Sequence, residues 1–97
     1  MIKTLEVIEA KPDILICKFN NGETRRLDLN QILKTQTKDI FLQIIIEKNK
    51  NKTVKIGEFG QLCWENAAHM KDLDGKSFEC EYDMSAEIVY HNSTLIA

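Results

Sequence analysis

The sequence predicts an α+β fold, with an antiparallel sheet and two or three short helices, on three observations. An apolar run at residues 14–19 and a second strand-like run ending at Leu29 flank Asn21-Gly22. Asn-Gly between two such runs is a strong hairpin signal, because the turn requires positive φ, which glycine adopts without a Cβ penalty. Further short apolar runs in the second half alternate with turn residues. Polar residues that can cap helices precede short stretches of helical spacing.

The hairpin has two possible registers, and a slip of one residue would exchange the buried and exposed faces. In one register, a two-residue turn pairs Ile16 with Leu27. In the other, a three-residue loop with Gly22 in the left-handed conformation pairs Leu15 with Leu27, on the face that also carries Cys17. The first gives better apolar pairs and the second gathers more apolar residues on one face, so both remain open.

The hairpin is expected to extend into a three-stranded meander at the N-terminal end. Residues 2–10 predict a first strand with Leu5 and Val7 on one face. Pro12 predicts the turn that follows, because its ring presets φ for the first central position of a turn. The N-terminal third is therefore expected to be entirely β up to Leu29.

Two short helices are expected after the meander. Asn30 can cap a helical piece at residues 31–34, because its side-chain oxygen can accept from the first free amides. Residues 40–48 fit either a helix or a strand, since three consecutive isoleucines also suit a strand. A helix is favoured because Thr37 or Asp39 can cap it.

The second half predicts short strands and a final helix. Residues 53–57 and 61–65 read as two strands, and residues 71–73 and 76–82 as another pair across Asp74-Gly75, with Phe78, Cys80 and Tyr82 alternating inward. Ser85 can cap a helix that continues to Asn92.

Composition limits the functional classes. The chain has 97 residues, 43% of them apolar, and a net charge of −2, which is typical of one globular domain spanning residues 1–97. Nucleic-acid binding is disfavoured, because the chain has no basic excess. The apolar runs are short, as at Ile44-Ile45-Ile46, so no membrane span or signal peptide is expected, and the predicted location is cytoplasmic.

No complete catalytic, metal or cofactor motif is present in the sequence, so neither a cofactor nor catalysis is expected. Cys63 and His69 are too far apart for the usual paired spacing of zinc ligands. Cys63 with a histidine could form a thiolate–imidazole pair, but Leu-Cys-Trp resembles a buried strand. Trp64 is the only tryptophan; it fits either an interface anchor or the principal core aromatic, and the core is preferred.

Five segments, in order, resemble one bacterial family. The hairpin at residues 19–22 and its closing strand at 27–29 resemble that family's phenylalanine–aspartate/asparagine–glycine turn and valine–aspartate–leucine. Residues 54–60, 64–68 and 82–90 resemble its strand and glycine turn, its tryptophan–x–asparagine–glycine–alanine segment and its C-terminal helix start with a tyrosine. On these motifs the chain resembles domain-of-unknown-function family 2442 (DUF2442).

The resemblance has departures and implications. Ala67 stands where the family usually has glycine, His69 where it has aspartate, and Ala86 where it has proline. The family implies an α+β fold with an antiparallel sheet and has no established activity. Its matching motif residues are candidates for an interface: Trp64, Asn66, Tyr82 and Tyr90.

The resemblance also implies a protein partner. Family genes often lie beside those of another small uncharacterised family, in an arrangement similar to toxin–antitoxin pairs. The expected function is a non-enzymatic binding or regulatory module that acts through protein–protein contacts or as a homodimer. The alternatives are a small enzyme that uses Cys63 or a histidine, and a nucleic-acid accessory protein. The C-terminal third is expected to pack on its own sheet or to form a two-fold contact with a second copy, with the dimer favoured.

Overall fold

The computed structural model describes residues 1–35, 40–71, 73–75 and 77–97. In this part of the chain, seven strands, three α-helices and one 3₁₀ helix follow one another as β1 (Thr4–Ala10), β2 (Ile14–Phe19), β3 (Thr24–Asp28), α1 (Leu29–Thr35), α2 (Ile40–Glu47), the 3₁₀ helix (Lys50–Thr53), β4 (Val54–Ile56), β5 (Leu62–Lys71), β6 (Ser77–Met84), α3 (Ala86–His91) and β7 (Ser93–Leu95). All strand pairs are antiparallel. Sheet A has the order β1-β2-β3-β7 and sheet B the order β4-β5-β6. The predicted α+β class, with an N-terminal meander, is confirmed.

The β2–β3 hairpin adopts the register of the three-residue loop. Leu15 pairs with Leu27, the Gly22 N–H donates to the Phe19 carbonyl at 3.0 Å, and the Phe19 N–H donates to the Glu23 carbonyl at 2.9 Å. Gly22 has a φ of 88°, which a residue with a Cβ rarely adopts. The chosen register buries the side chains of Leu15, Cys17 and Leu27 completely.

The expectation that Leu5 and Val7 lie on one face of the first strand is wrong. The pairing of β1 with β2 shifts twice, between Thr4 and Glu6 and between Val7 and Glu9. Each shift is a β-bulge that inserts an extra residue on β1, and the extra residues are Leu5 and Ile8, which are 57% and 52% exposed. A bulge turns the following side chains to the opposite face, so Leu5 and Val7 do not share one.

The first helix begins earlier than expected. The Asp28 carboxylate accepts from the Asn30 N–H at 3.0 Å, so Asp28 rather than Asn30 caps α1. The Asn30 side chain instead donates to Asp13 at 2.9 Å. Both residue types are good caps, and the one that precedes the first helical residue takes the role.

The favoured helix at residues 40–48 is confirmed as α2, which ends at Glu47. The expected caps Thr37 and Asp39 lie outside the described residues. After α2 the chain turns at Asn49, whose φ of 52° is left-handed, a conformation that asparagine tolerates better than most residues.

Sheet B has longer strands than the sequence predicted. The strand expected at 61–65 continues to Lys71 as β5 (Leu62–Lys71). The separate strand expected at 71–73 is wrong, because Lys71 is the last residue of β5 and Leu73 lies in the turn that follows. Its pairing with β6 shifts between Trp64 and Ala68, and this irregularity breaks the alternation by which a strand is recognised. The side chains of Phe78 and Cys80, which were expected to point inward, lie outside the described residues.

One apolar cluster joins the two sheets and the helices. It contains buried side chains from sheet A, sheet B, α1, α2 and α3, including Leu15, Phe19, Ile32, Ile45, Leu62, Trp64 and Val89. Trp64 is fully buried, as the preferred interpretation expected. None of the described helices is both long and apolar enough to span a membrane.

The C-terminal segment packs on its own chain. The Ser85 hydroxyl accepts from the Ile88 N–H at 3.3 Å and caps α3, as predicted. After α3, β7 pairs with the edge of β3. The Thr24 N–H then donates to the Ala97 carbonyl at 2.8 Å. The C-terminal segment thus packs on sheet A of its own chain, and the favoured two-fold contact with a second copy stays a prediction.

Candidate protein-binding surface

The turn between β4 and β5 holds an aromatic side chain in solvent. Phe59 is 65% exposed. The Gly57 N–H donates to the Gln61 carbonyl at 2.8 Å and the Gly60 N–H to the Gly57 carbonyl at 3.0 Å. The Phe59 N–H donates to the Gln61 side-chain oxygen at 2.9 Å. These bonds hold the backbone of the turn in one conformation, so Phe59 is presented from a fixed position.

The same turn is attached to β1. The Thr4 N–H donates to the Gly60 carbonyl at 3.1 Å. Gly60 has a φ of 77°, and a Cβ built on it would lie 2.6 Å from the Lys3 Cβ and 2.8 Å from the Lys3 Cα. Only glycine allows this close approach of two backbones. Sheet A therefore supports the turn of sheet B that carries Phe59.

A shallow, open depression lies beside Phe59. Its volume is about 140 Å³, and its lining includes Met1, Ile2, Phe59, Gln61, Ala86 and Glu87. We call these six residues the Phe59 surface. The first turn of α3 supplies Ala86 and Glu87, and the Ser85 cap fixes where that turn begins. The surface thus combines the beginning of the chain, one β-turn and one helix start, with mostly apolar side chains and a carboxylate at its rim.

Of the predicted interface residues, Trp64 and Tyr82 are neighbours in sheet B. Their rings lie 5.7 Å apart, centroid to centroid, at an angle of 45°. Trp64 is fully buried and its Nε1–H donates to Asn51 Oδ1 at 3.0 Å. Tyr82 is half-buried against the core. The side chain of Asn66 lies outside the described residues.

Tyr90 lies elsewhere, at the hairpin loop of sheet A. Its hydroxyl donates to the Glu23 carboxylate, to which the Asn21 side chain also donates. The Arg25 guanidinium lies 4.2 Å from the centre of the Tyr90 ring and donates to Glu23 at 3.0 Å. The Phe19 ring meets Tyr90 edge-on at 5.3 Å. The structure thus brings Asn21 and Tyr90 together at the loop between β2 and β3, whereas Trp64 lies in sheet B.

The cluster around Tyr90 is electrostatically satisfied. The hydrogen bond from Tyr90, followed by those from Asn21 and Arg25, holds the pKa of the Glu23 carboxyl below its usual value. Donors to the charged form favour ionisation. Glu23 is therefore a poor proton acceptor. The cluster connects the hairpin loop to α3 through hydrogen bonds.

Cys63 is the centre of a small group of possible metal ligands. Its Sγ and one carboxylate oxygen each from Glu81 and Asp83 lie within 4.8 Å of one another. Burial first, and then the Asp83 carboxylate, raises the pKa of the Cys63 thiol to about 11. At neutral pH this thiol is therefore protonated. Only the thiolate attacks electrophiles or binds metals, so the protonated form does neither. Burial likewise raises the pKa of Cys17 to about 12.

Neither histidine completes a catalytic pair in the described contacts. His91 packs edge-on against Tyr90, with ring centroids 5.6 Å apart. The side chain of His69 lies outside the described residues.

Phe59 was not among the residues predicted from the sequence. Its segment, Gly57-Glu58-Phe59-Gly60, was interpreted only as a glycine turn between two strands. The available signal was an aromatic residue at a turn position where polar residues dominate. A single exposed apolar side chain is common on protein surfaces, so Phe59 is a candidate for binding because it borders a depression lined mostly by apolar residues.

Comparison with known proteins places the chain in a family. The model of a family described as "Protein of unknown function (DUF2442)" matches residues 5–94. The chain belongs to the DUF2442 family. This confirms the resemblance seen in the sequence. The DUF2442 match includes residues of both sheets and of the turn that carries Phe59. No curated protein and no solved structure matches the chain.

Proposed function

We propose that this DUF2442 protein is a non-enzymatic binding module that recognises a partner protein through the Phe59 surface. The observation that carries the proposal is the presentation of Phe59, 65% exposed on a turn fixed by hydrogen bonds within the turn and to β1. Aromatic side chains are frequent anchors of interfaces, and a backbone that is already ordered loses little conformational entropy on binding.

The state of the thiols supports a binding module over the enzyme alternative. A catalytic cysteine needs a lowered pKa, from a nearby cation, an imidazole or a helix N-terminus. Cys63 instead faces the carboxylates of Glu81 and Asp83, and its pKa is raised to about 11. The net charge of −2 likewise disfavours an accessory role on nucleic acid, which needs basic residues to neutralise phosphates.

The first partner to test is the product of the adjacent gene, because the family resemblance implies an arrangement similar to a toxin–antitoxin pair. Both purified proteins are mixed in a calorimeter. Phe59→Ser is compared with Leu73→Ser, which removes an equally apolar and fully exposed side chain on the distant β5–β6 turn. Both variants should unfold at the wild-type temperature, since neither side chain is buried.

We expect the adjacent gene product to bind, and Phe59→Ser to weaken binding about thirtyfold, the effect of losing an interface anchor. Leu73→Ser should bind as the wild type does. Equal affinity of the wild type and Phe59→Ser would exclude the Phe59 surface. No heat from mixing the wild-type proteins, confirmed by their separate elution on a sizing column, would contradict the proposed partner.

A further inference from the structure

Sheet B leaves one long and regular strand at its edge. We propose that the outer edge of β6 accepts an extended, basic segment of a partner protein as an additional antiparallel or parallel strand. This inference rests on the proposed function, because its occupant is a protein, and it adds the chemistry of that occupant. It concerns a different surface, so that each can fail independently.

The edge of β6 differs from the other three sheet edges in the described part of the chain. β7 and β4 have three residues each, and β1 is interrupted by two bulges. β6 has eight residues, and it pairs with β5 on one side only. The irregularity in that pairing inserts its extra residues on β5, between Trp64 and Ala68, so β6 itself is not bulged. Short length and bulges are how proteins protect sheet edges; β6 has neither.

The protection that β6 does have is negative charge. Glu81 and Asp83 are exposed on one face of the strand, and Asp83 lies opposite Cys63. The nearby Glu65 forms an ion pair with Lys55 at 3.1 Å. In the described residues no lysine or arginine forms a salt bridge with Glu81 or Asp83. A side-chain hydrogen bond with Asp83, followed by the negative charge of that group, raises the pKa of the Glu81 carboxyl.

The same charges argue against a second copy as the occupant. When a strand pairs with its own copy about a two-fold axis normal to the sheet, residues that lie opposite each other share a face. The row that contains Glu81 and Asp83 would therefore face the identical row of the other copy. Like charges in opposite positions destabilise a strand pair, and opposite charges stabilise it. The fitting occupant has lysine or arginine at alternate positions, with backbone groups that complete the ladder.

The position of β6 connects this edge with the Phe59 surface. β6 ends at Met84, and the chain then passes directly through Ser85, Ala86 and Glu87, which line the depression beside Phe59. A segment paired with the end of β6 therefore ends close to the Phe59 surface. One partner can engage both.

The probe is a short capped peptide of alternating lysine and valine, with two matched peptides. One replaces every lysine by glutamate. The other keeps the lysines but is N-methylated at alternate amides, which abolishes strand pairing on one edge without changing the charge. Binding to the full chain is measured by fluorescence anisotropy, and its location by amide chemical shifts. Glu81→Gln/Asp83→Asn is compared with Glu6→Gln/Glu9→Gln, which removes two exposed carboxylates from β1 instead.

We expect the lysine peptide to bind, with the shifts concentrated in β6. Glu81→Gln/Asp83→Asn and the N-methylated peptide should each weaken binding at least about tenfold, because cross-strand ion pairs and ladder hydrogen bonds are lost. Glu6→Gln/Glu9→Gln should bind within about twofold of the wild type. Phe59→Ser should bind the lysine peptide normally, so a failure of the Phe59 surface is separable from a failure of the β6 edge.

Several results would overturn the inference. Unchanged binding of the N-methylated peptide would show attraction by charge without strand pairing. Equal binding of the glutamate peptide would remove the role of Glu81 and Asp83. Absence of binding by the lysine peptide would end the proposal. Self-association of the wild type that is lost in a β6 variant would assign the edge to a second copy.

Discussion

Trp64 Nε1 donates a hydrogen bond of 3.0 Å to Asn51 Oδ1, and both side chains are completely buried. The Asn51 amide nitrogen donates to the carbonyls of Lys11 at 2.7 Å and Pro12 at 3.1 Å. A single side chain in the 3₁₀ helix thus joins the β1–β2 turn of sheet A to the central strand of sheet B. Buried polar groups that are fully paired in this way hold a core in one arrangement.

Asn51→Ala should lower the free energy of unfolding by about 3 kcal/mol, because it leaves the buried Trp64 N–H without a partner and removes the donor to the Lys11 and Pro12 carbonyls. Chemical denaturation measures the loss. Asn30→Ala is the matched control, since the Asn30 side chain donates to Asp13 from an exposed position. Its cost should be below about 1 kcal/mol. Similar midpoints for the two variants would show that the buried network contributes no more than a surface contact.

Gly60→Ala should destabilise the protein much more than Gly22→Ala. Both glycines have positive φ, 77° and 88°, so both variants lose about 1 kcal/mol to backbone strain. At Gly60 the added methyl would also overlap the Lys3 backbone, whereas nothing lies within 4 Å of a Cβ at Gly22. Thermal unfolding of the pair isolates the cost of the overlap. Equal melting temperatures of Gly60→Ala and Gly22→Ala would mean that the turn can move away from β1 without a loss of stability.

Thr4→Val should stabilise the protein. The Thr4 side chain is 2% exposed, and its hydroxyl has no hydrogen-bond partner among the described residues. Valine has nearly the same shape and removes the cost of burying that hydroxyl, so a gain of about 1 kcal/mol is expected. Thr35→Val is the control, because the Thr35 hydroxyl donates to the Ile32 carbonyl at 2.9 Å. A loss of stability in Thr4→Val would indicate a partner for the hydroxyl in solution.

Alkylation of Cys63 should be slow at neutral pH. A pKa of about 11, against the usual 9.0, leaves about a hundredfold less thiolate than an ordinary thiol at the same pH. In a chain with Cys17→Ser and Cys80→Ser, the iodoacetamide rate should therefore keep rising up to about pH 11. The same chain in urea supplies the ordinary rate. A fast reaction of the folded protein at pH 7 would favour the enzyme alternative.

The raised thiol pKa values also set the direction of the alkaline pH dependence. The unfolded chain releases these protons from about pH 9, while folded Cys63 and Cys17 keep theirs until about 11 and 12. Between these values the folded state binds more protons, so stability falls as the pH rises. The fall should be smaller in Cys17→Ser, which can be measured by denaturation at pH 8 and pH 10.

The parts of the fold that local chemistry determines could be predicted from the sequence. Asn21-Gly22 indicated the hairpin, and Ser85 indicated the start of α3, because a turn or a cap depends on a few adjacent residues. The hairpin register stayed open, since it depends on which face is buried by distant residues. The prediction of which β1 side chains share a face was wrong for the same reason, because the bulges at Leu5 and Ile8 depend on how β1 pairs with β2.

The candidate site was less predictable than the fold. Trp64 was noticed because it is the only tryptophan in the sequence. It lies in the core, and a single large aromatic residue is as consistent with a core as with an interface. Phe59 became visible only through its exposure, which depends on how the β4–β5 turn packs on Lys3 and Thr4. The exposure of a single turn residue follows no hydrophobic periodicity, so the sequence does not indicate it.

The pairing of β7 with β3 has a consequence for the order in which the protein folds during synthesis. Arg25 donates to the Ser93 hydroxyl at 2.8 Å and to its carbonyl at 2.8 Å, across a separation of 68 residues. The first three strands leave the ribosome long before their fourth neighbour exists, and contacts so distant along the chain form late. Throughout that interval the nascent meander exposes the edge of β3 that β7 later covers. The incomplete chain therefore needs protection from aggregation more than the complete one does.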